Sequence, residues 1–215
     1  MKKLLKKILT FLKLKNVSRD IYISLIQLAY YPKWIALKKS NRIFLEIGSG
    51  PKKGTNGWVT VDLIRGADIV SDLRKGIPLP EASVDQIYAS HVLEHIPFKD
   101  QIKLLDEIYR VLKKNGKLSV NVPDASLFIK SYMNKHRFLP TGGFYQPAVV
   151  DTGSLIDQIN YIAYMDQEHK YLFDEENLIN TLKKIPFKKV ELRNFDEDLD
   201  NKVRDSESIY AIAIK

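Results

Sequence analysis

Three acidic residues stand where hydrophobic strands give out: Glu46 in FLEIGSG, Asp62 in WVTVDL and Asp72 in VSDLRKG. A carboxylate at such a place can accept both hydroxyls of a ribose, or a hydrogen bond from an exocyclic amine. Gly48 and Gly50, on either side of Ser49, let the backbone turn tightly and leave a ligand room to approach. A second group lies further on, with His91, Glu94 and His95 in SHVLEHIP and His169 in QEHKYLF. Imidazoles titrate near neutrality, so His91 and His169 are candidate general bases. His91 to His95 also reads H-x-x-E-H, a spacing used by zinc ligands on helices. Here it follows a strand directly, so Glu94 and His95 are expected to order the loop before Pro97, and no metal ligand is expected.

The elements that must position these groups alternate. RIFLEI over residues 42–47, WVTVD, a short strand around DIV at 68–70, SVDQIYAS at 83–90 and GKLSVNVPD read as strands. Residues 97–113 carry apolar side chains at helical spacing, with KKNG as the expected C-terminal stop. Such alternation predicts a mostly parallel sheet with ligands at the carboxyl ends of its strands. Only eleven residues separate Gly50 from Asp62, and PKKGTNG leaves no room for a helix of several turns. A pyrophosphate needs the free amides of a helix N-terminus, so the expected ligand is instead an adenosine with a positively charged tail. In the tail of the chain, a helix over 174–184 precedes KKVELRNF and SESIYAIAIK, two strands joined by a polar loop and therefore antiparallel neighbours. Residues 124–170, with a TGG turn, Tyr145 and a helical stretch near 155–165, read as a cap or substrate insertion.

The 215 residues are 45% hydrophobic, enough for one domain with a sizeable core. There is no cysteine, which excludes disulfides, thiolate zinc sites and cysteine nucleophiles. The net charge of +8 is local: ten of 34 basic side chains and only one acid, Asp20, fall in residues 1–40, leaving 24 basic against 25 acidic residues in 41–215. A neutral main domain without a basic stripe is not expected to bind nucleic acid. The chain thus divides into a basic helical segment, 1–40, and the main domain, 41–215. Lysines interrupt the apolar run of MKKLLKKILTFLKLK, which argues against a signal peptide. Leu4, Leu5, Ile8, Leu9, Phe11 and Leu12 share one arc of a helix, with lysines opposite. Residues 2–15 therefore suit the surface of an anionic membrane; the same face would also suit packing on the domain or on a second subunit in a homodimer. IYISLIQLAYY is too short to span a bilayer and reads as a second helix, ending near Pro32, against the core.

LEIGSG, VDL, SDL, SVDQIYASHVLEHI and LLDEIYRVLKKNGKLSVNVPD resemble the motifs of class I S-adenosylmethionine-dependent methyltransferases. The resemblance is closest to the small bacterial, type 11-like enzymes associated with cell-surface polysaccharide biosynthesis. It covers residues 42–124 and continues from HKYLFDEENL to the last strand. It implies an α/β, Rossmann-like fold with a seven-stranded, mostly parallel sheet whose last strand is antiparallel, and S-adenosyl-L-methionine as cofactor. By position, Glu46, Gly48, Ser49 and Gly50 would lie under the methionine part. Asp62 and Leu63 would meet the ribose, Asp72 and Leu73 the adenine, and Ser90 and His91 would border methionine and substrate. One departure is Lys52, where the family pattern has a third glycine. The acceptor implied is a sugar, nucleotide sugar or lipid-linked glycan, methylated on oxygen in the cytoplasm, at the inner membrane face. Two other readings stand beside this one: an NAD(P)-binding oxidoreductase, and a non-catalytic membrane-associated adaptor retaining the fold.

Overall fold

A computed structural model describes residues 26–139 and 151–215. Seven strands form one sheet in the order β3-β2-β1-β4-β5-β7-β6: β1 (Phe44–Ile47), β2 (Trp58–Asp62), β3 (Ile69–Val70), β4 (Val84–Ser90), β5 (Leu112–Pro123), β6 (Lys189–Leu192) and β7 (Ser208–Ile214). The first five are parallel, and β7 runs antiparallel to both β5 and β6. A dinucleotide-binding sheet is mostly parallel, with a usual strand order of 3-2-1-4-5-6. The antiparallel β7 inserted between β5 and β6 departs from that order.

Alternation along the strands decides what is buried. Leu45, Ile47, Val61, Ile87, Val120 and Ala211 are at most 1% exposed and lie in a single core. That core takes Trp34 and Leu37 from α1 (26–37), Leu104, Leu105 and Ile108 from α2 (Phe98–Val111), and, further along, Leu178 and Leu182 of a later helix. The intervening positions Phe44, Trp58 and Tyr88 point to the other face, as the pleat requires, and form a row with ring centroids 5.5 and 6.3 Å apart.

Two local expectations differ. The helix expected to end near Pro32 continues to residue 37. Proline removes one helical hydrogen bond, but anchoring Trp34, 2% exposed, and Leu37 in the core outweighs that loss. KKNG does not cap α2. The helix stops at Val111, where Leu112 turns extended at ψ 137° and pairs with Val84, and the next residues bulge between the Val84↔Leu112 and Gln86↔Lys117 pairs. The left-handed residue of that bulge is Asn115, φ 63°, not Gly116.

After β5 come α3 (Ala125–Met133) and α4 (Asp157–Tyr164), which share a small core of Ala125, Phe128, Tyr161 and Ile162, and then α5 (Glu175–Leu182). Helix α3 was not foreseen: Asp124 caps it by accepting the Ser126 amide at 2.8 Å. The expected amphipathic helix at 2–15, the TGG turn and Tyr145 lie outside the described residues. Among the described residues, no helix is long and apolar enough to cross a membrane.

Candidate active site

No helix separates β1 from β2. The chain instead makes a ten-residue loop stitched to the β2–β3 connection by Asp68. The Asp68 Oδ2 accepts from the Gly54 amide at 2.8 Å, the Thr60 amide at 3.1 Å and the Thr60 hydroxyl at 3.0 Å. Lys53 reaches the Ala67 carbonyl at 2.8 Å, and Thr60 Oγ1, 2.8 Å from the Lys52 carbonyl, shares its one proton between that oxygen and Asp68. Burial alone would raise the Asp68 carboxyl, but the two amides, the Thr60 hydroxyl and Lys53 hold it below its ordinary value. Helix α1 braces the same region, with Lys33 on the Asp68 carbonyl.

At the carboxyl edge, Gly48 and Gly50 are both left-handed, at φ 63° and 69°. The reasons differ. A Cβ on Gly48 would meet Val92 Cγ2 at 2.3 Å, whereas one on Gly50 would project into open space. The Ser49 hydroxyl donates to the Gly50 carbonyl. Asp62 holds the turn: its Oδ2 accepts the Gly50 amide at 2.8 Å and its Oδ1 the Ile64 amide at 3.0 Å. Each oxygen keeps a further lone pair for a hydroxyl. Leu63 beside it is 38% exposed, an apolar surface at the mouth.

The other two carboxylates carry partners inside the chain. Glu46 pairs with Lys52 at 2.6 Å. Asp72, 4% exposed, is held by Arg74 through Nε at 2.8 Å and Nη2 at 2.9 Å and caps a short 3-10 turn, Leu73–Lys75. Burial works against the charge on Asp72, yet the Arg74 contacts bring its carboxyl below the usual range. Leu73 packs against the core. Lys52, the departure from the glycine pattern, is thus the counter-ion of Glu46.

The histidines expected to do acid–base work come together further along the same edge. His91 follows β4 directly after Ser90, at φ 53°, an uncommon conformation for a side-chain-bearing residue. Its amide donates to the Asn121 carbonyl, and its Nε2 lies 2.8 Å from Ser208 Oγ. Glu94 and His95 follow on a 3-10 turn, Leu93–His95. His169 returns from the α4–α5 connection, where Met165, Asp166 and Gln167 are all left-handed. Such residues cost about 1–2 kcal/mol each; here they bring the His169 ring back under α4, with Nδ1 2.7 Å from the Ile162 carbonyl.

The rings of His95 and His169 meet edge to face, with centroids 5.0 Å apart. His91 Nδ1 and His95 Nε2 each lie 3.7 Å from Glu94 Oε1. Burial lowers all three imidazoles, that of His91 furthest, with the Arg204 charge adding to it. Burial pushes Glu94 up to about 8 and Glu207 to about 6. These groups, with Arg204, line a cavity of about 50 Å³, room for a few water molecules. It would admit a hydroxyl group, not a sugar ring. His95 does order its loop, its Nδ1 lying 3.2 Å from the Glu168 carbonyl, but it also faces the cluster, as do Glu94, Arg204 and Glu207. Sequence reasoning missed Arg204, in the polar loop before the last strand, and Glu207, in the stretch read as the start of that strand.

Behind the cluster, Asn121 Nδ2 donates to the Tyr88 hydroxyl and to Asp200, and Arg193 grips both Asp200 oxygens. Burial pushes the Tyr88 hydroxyl up to about 12. The network ties the β6–β7 connection to the centre of the sheet.

Residues 45–120 match a protein family described as a methyltransferase domain. No curated protein matches the sequence. Among solved structures, an S-adenosylmethionine-dependent methyltransferase from Archaeoglobus fulgidus superposes with a TM-score of 0.50 at 16% identity, covering 92% of this chain and 94% of that one. A possible histamine N-methyltransferase from Thermotoga maritima gives 0.48 at 16%, covering 94% and 96%. Phosphoethanolamine N-methyltransferase 2 of Haemonchus contortus, in complex with S-adenosyl-L-methionine, gives 0.49 at 15%, covering 88% of this chain and 52% of that one. The fold is the Rossmann-like fold of the methyltransferases.

Proposed function

We propose that this protein is an S-adenosylmethionine-dependent methyltransferase that methylates an oxygen of a sugar, nucleotide sugar or lipid-linked glycan. The observation that carries the cofactor assignment is the turn at Gly48–Gly50 under Asp62. It is a left-handed turn whose second glycine faces open space, tied to a carboxylate with acceptor capacity to spare. These residues fit an adenosine with a cationic tail. Asp62 would hold the ribose hydroxyls, Leu63 would lie against the nucleoside, and Glu46 would face the cationic end once Lys52 moves aside. Asp72 and Leu73 would border the adenine, with the Arg74 grip keeping Asp72 ionised.

Bound there, S-adenosylmethionine supplies a methyl group on a sulfonium, which leaves as a neutral thioether and needs no acid. What remains for the chain is alignment of the acceptor and removal of its proton. His91 and His169, with pKa values lowered by burial, are unprotonated at neutral pH and can take that proton. The polar lining of the cavity supports a hydroxyl acceptor, and the lysine-rich residues 2–15 support one held at a membrane surface. Calorimetry with S-adenosylmethionine, S-adenosylhomocysteine and NADH tests the cofactor. Binding of the first two without a response to NADH is expected, and silence for all three would favour the non-catalytic adaptor. Labelled methyl transfer to a panel of nucleotide sugars tests the acceptor.

A further inference from the structure

The side chains of Glu94, His95 and His169 each offer an atom within 4.8 Å of the others. What distinguishes the cluster is the direction of its protons. A carbonyl can only accept, so His169 Nδ1, 2.7 Å from the Ile162 carbonyl, carries the ring proton and leaves Nε2 bare. The same holds for His95, whose Nδ1 faces the Glu168 carbonyl at 3.2 Å. The single proton of Ser208 goes to the Arg204 carbonyl at 2.7 Å, so Ser208 accepts from His91 Nε2 and leaves His91 Nδ1 bare. Two of these bare nitrogens, on His91 and His95, stand 3.7 Å from Glu94 Oε1.

Glu94 itself is 2% exposed, and neither of its oxygens has a hydrogen-bond partner among the described residues. Buried acceptors facing buried acceptors repel unless something positive lies between them. A proton on Glu94 would not satisfy the group, because 3.7 Å is too long for a hydrogen bond. Arg204 lines the same cavity and its charge favours an ionised Glu94, but it makes no hydrogen bond to either Glu94 oxygen.

We propose that Glu94, His95 and His169 bind a divalent first-row transition-metal ion, with the bare Nδ1 of His91 beside it and outside the ligand set. Two imidazoles with one carboxylate suit zinc or its neighbours rather than magnesium or calcium. The Nδ1–H to carbonyl bonds behind His95 and His169 are the supports that metal-binding histidines use to fix ring and tautomer. Around a tetrahedral ion with bonds of about 2.0–2.1 Å, ligand atoms lie roughly 3.4 Å apart; His95 Nε2 and Glu94 Oε1, at 3.7 Å, are near that spacing, and the three ligand atoms together lie within 4.8 Å of one another. The ligands come from a 3-10 turn and a distant connection. They are not the one-helix pair that the H-x-x-E-H spacing suggests, which is why the sequence reading expected no metal. On the methyl-transfer reading, on which this last role rests, the ion would hold the acceptor hydroxyl and ease loss of its proton, leaving His91 to receive it.

The test uses the full chain without a histidine tag. Zinc is titrated by calorimetry and cobalt by its visible absorption, both without any methyl donor, so the result is independent of the methyltransferase assignment. One equivalent should bind, with the intense visible bands of a four-coordinate cobalt centre. His95→Asn and His169→Asn, each checked for folding by circular dichroism, should weaken binding by about 100-fold or more, above the 10–100-fold typical of removing a supporting group. His136→Gln, an exposed histidine outside the cluster, should leave it unchanged. Absence of stoichiometric binding by the unaltered protein would overturn the proposal without recourse to any variant. So would binding that persists in the His95→Asn/His169→Asn double variant, or that falls equally in His136→Gln.

Discussion

Replacing Asp62 with alanine removes two acceptor oxygens at once, and its cost can be worked from their bonds. One oxygen receives the Gly50 amide at 2.8 Å and the other the Ile64 amide at 3.0 Å, so the carboxylate is already aimed and loses no freedom when a ribose arrives. A hydrogen bond to a charged group contributes about 1.5–3 kcal/mol. Two hydroxyl contacts at the lower figure give about 3 kcal/mol, or roughly 100-fold in Kd for S-adenosylhomocysteine. Calorimetry on both proteins measures the loss, and repeating it with the 2′-deoxy analogue isolates the contact. The missing hydroxyl should cost roughly tenfold in the unaltered protein, corresponding to about 1.5 kcal/mol, and nothing in Asp62→Ala. An unchanged Kd for Asp62→Ala, or an equal penalty for the analogue in both proteins, would refute the ribose assignment.

Gly48→Ala should destabilise the fold by about 2–4 kcal/mol, from left-handed strain and collision with Val92. Gly50→Ala should cost only about 1 kcal/mol in thermal denaturation while weakening cofactor binding, because its methyl enters the open space; the reverse order would sink the distinction. Arg193→Ala should cost about 3–5 kcal/mol by leaving Asp200 buried without its cation. Burial tends to raise Asp200, but Arg193 and the Asp196 amide hold it below its ordinary 3.8, so this stability is present above that pH and lost as pH falls below it. The gap between the two proteins in denaturant titrations should therefore narrow in strong acid and not elsewhere. His91→Ala and His169→Ala should lower kcat by about 10²–10⁴ with little change in cofactor Kd, and normal turnover in both would place proton removal elsewhere. A chain starting at residue 16 should lose binding to anionic vesicles, and undiminished binding would end the membrane reading.

The sheet was legible because its strands are short apolar runs between clear breakers, and the antiparallel ending because only a polar stretch without α-helical periodicity, holding a short 3-10 turn, separates the last two. The missing helix after Gly50 was legible as a count of residues. What replaces it was not: the stitching of that loop depends on one carboxylate, Asp68, whose three donors are brought to it only by the packing of β2 against β3. The same limit applies to the histidines. Their residue types marked His91 and His169, but which nitrogen each presents is decided by the Ile162 carbonyl and by Ser208, more than a hundred positions from His91. Helix α3 was hidden because its apolar face serves a local core with α4 and not the main one.

Lys52 on Glu46 and Arg74 on Asp72 make part of the proposed nucleoside crevice self-neutralising, while their side chains remain 58% and 46% open to solvent. A cationic guest reaching Glu46 would take over a place that a tethered lysine already holds. Docking there becomes an exchange of one positive group for another, with little net gain of charge pairing. Discrimination then rests on shape and on the neutral hydroxyls at Asp62, and dissolved salt, by loosening the resident lysine, can ease entry as well as oppose it.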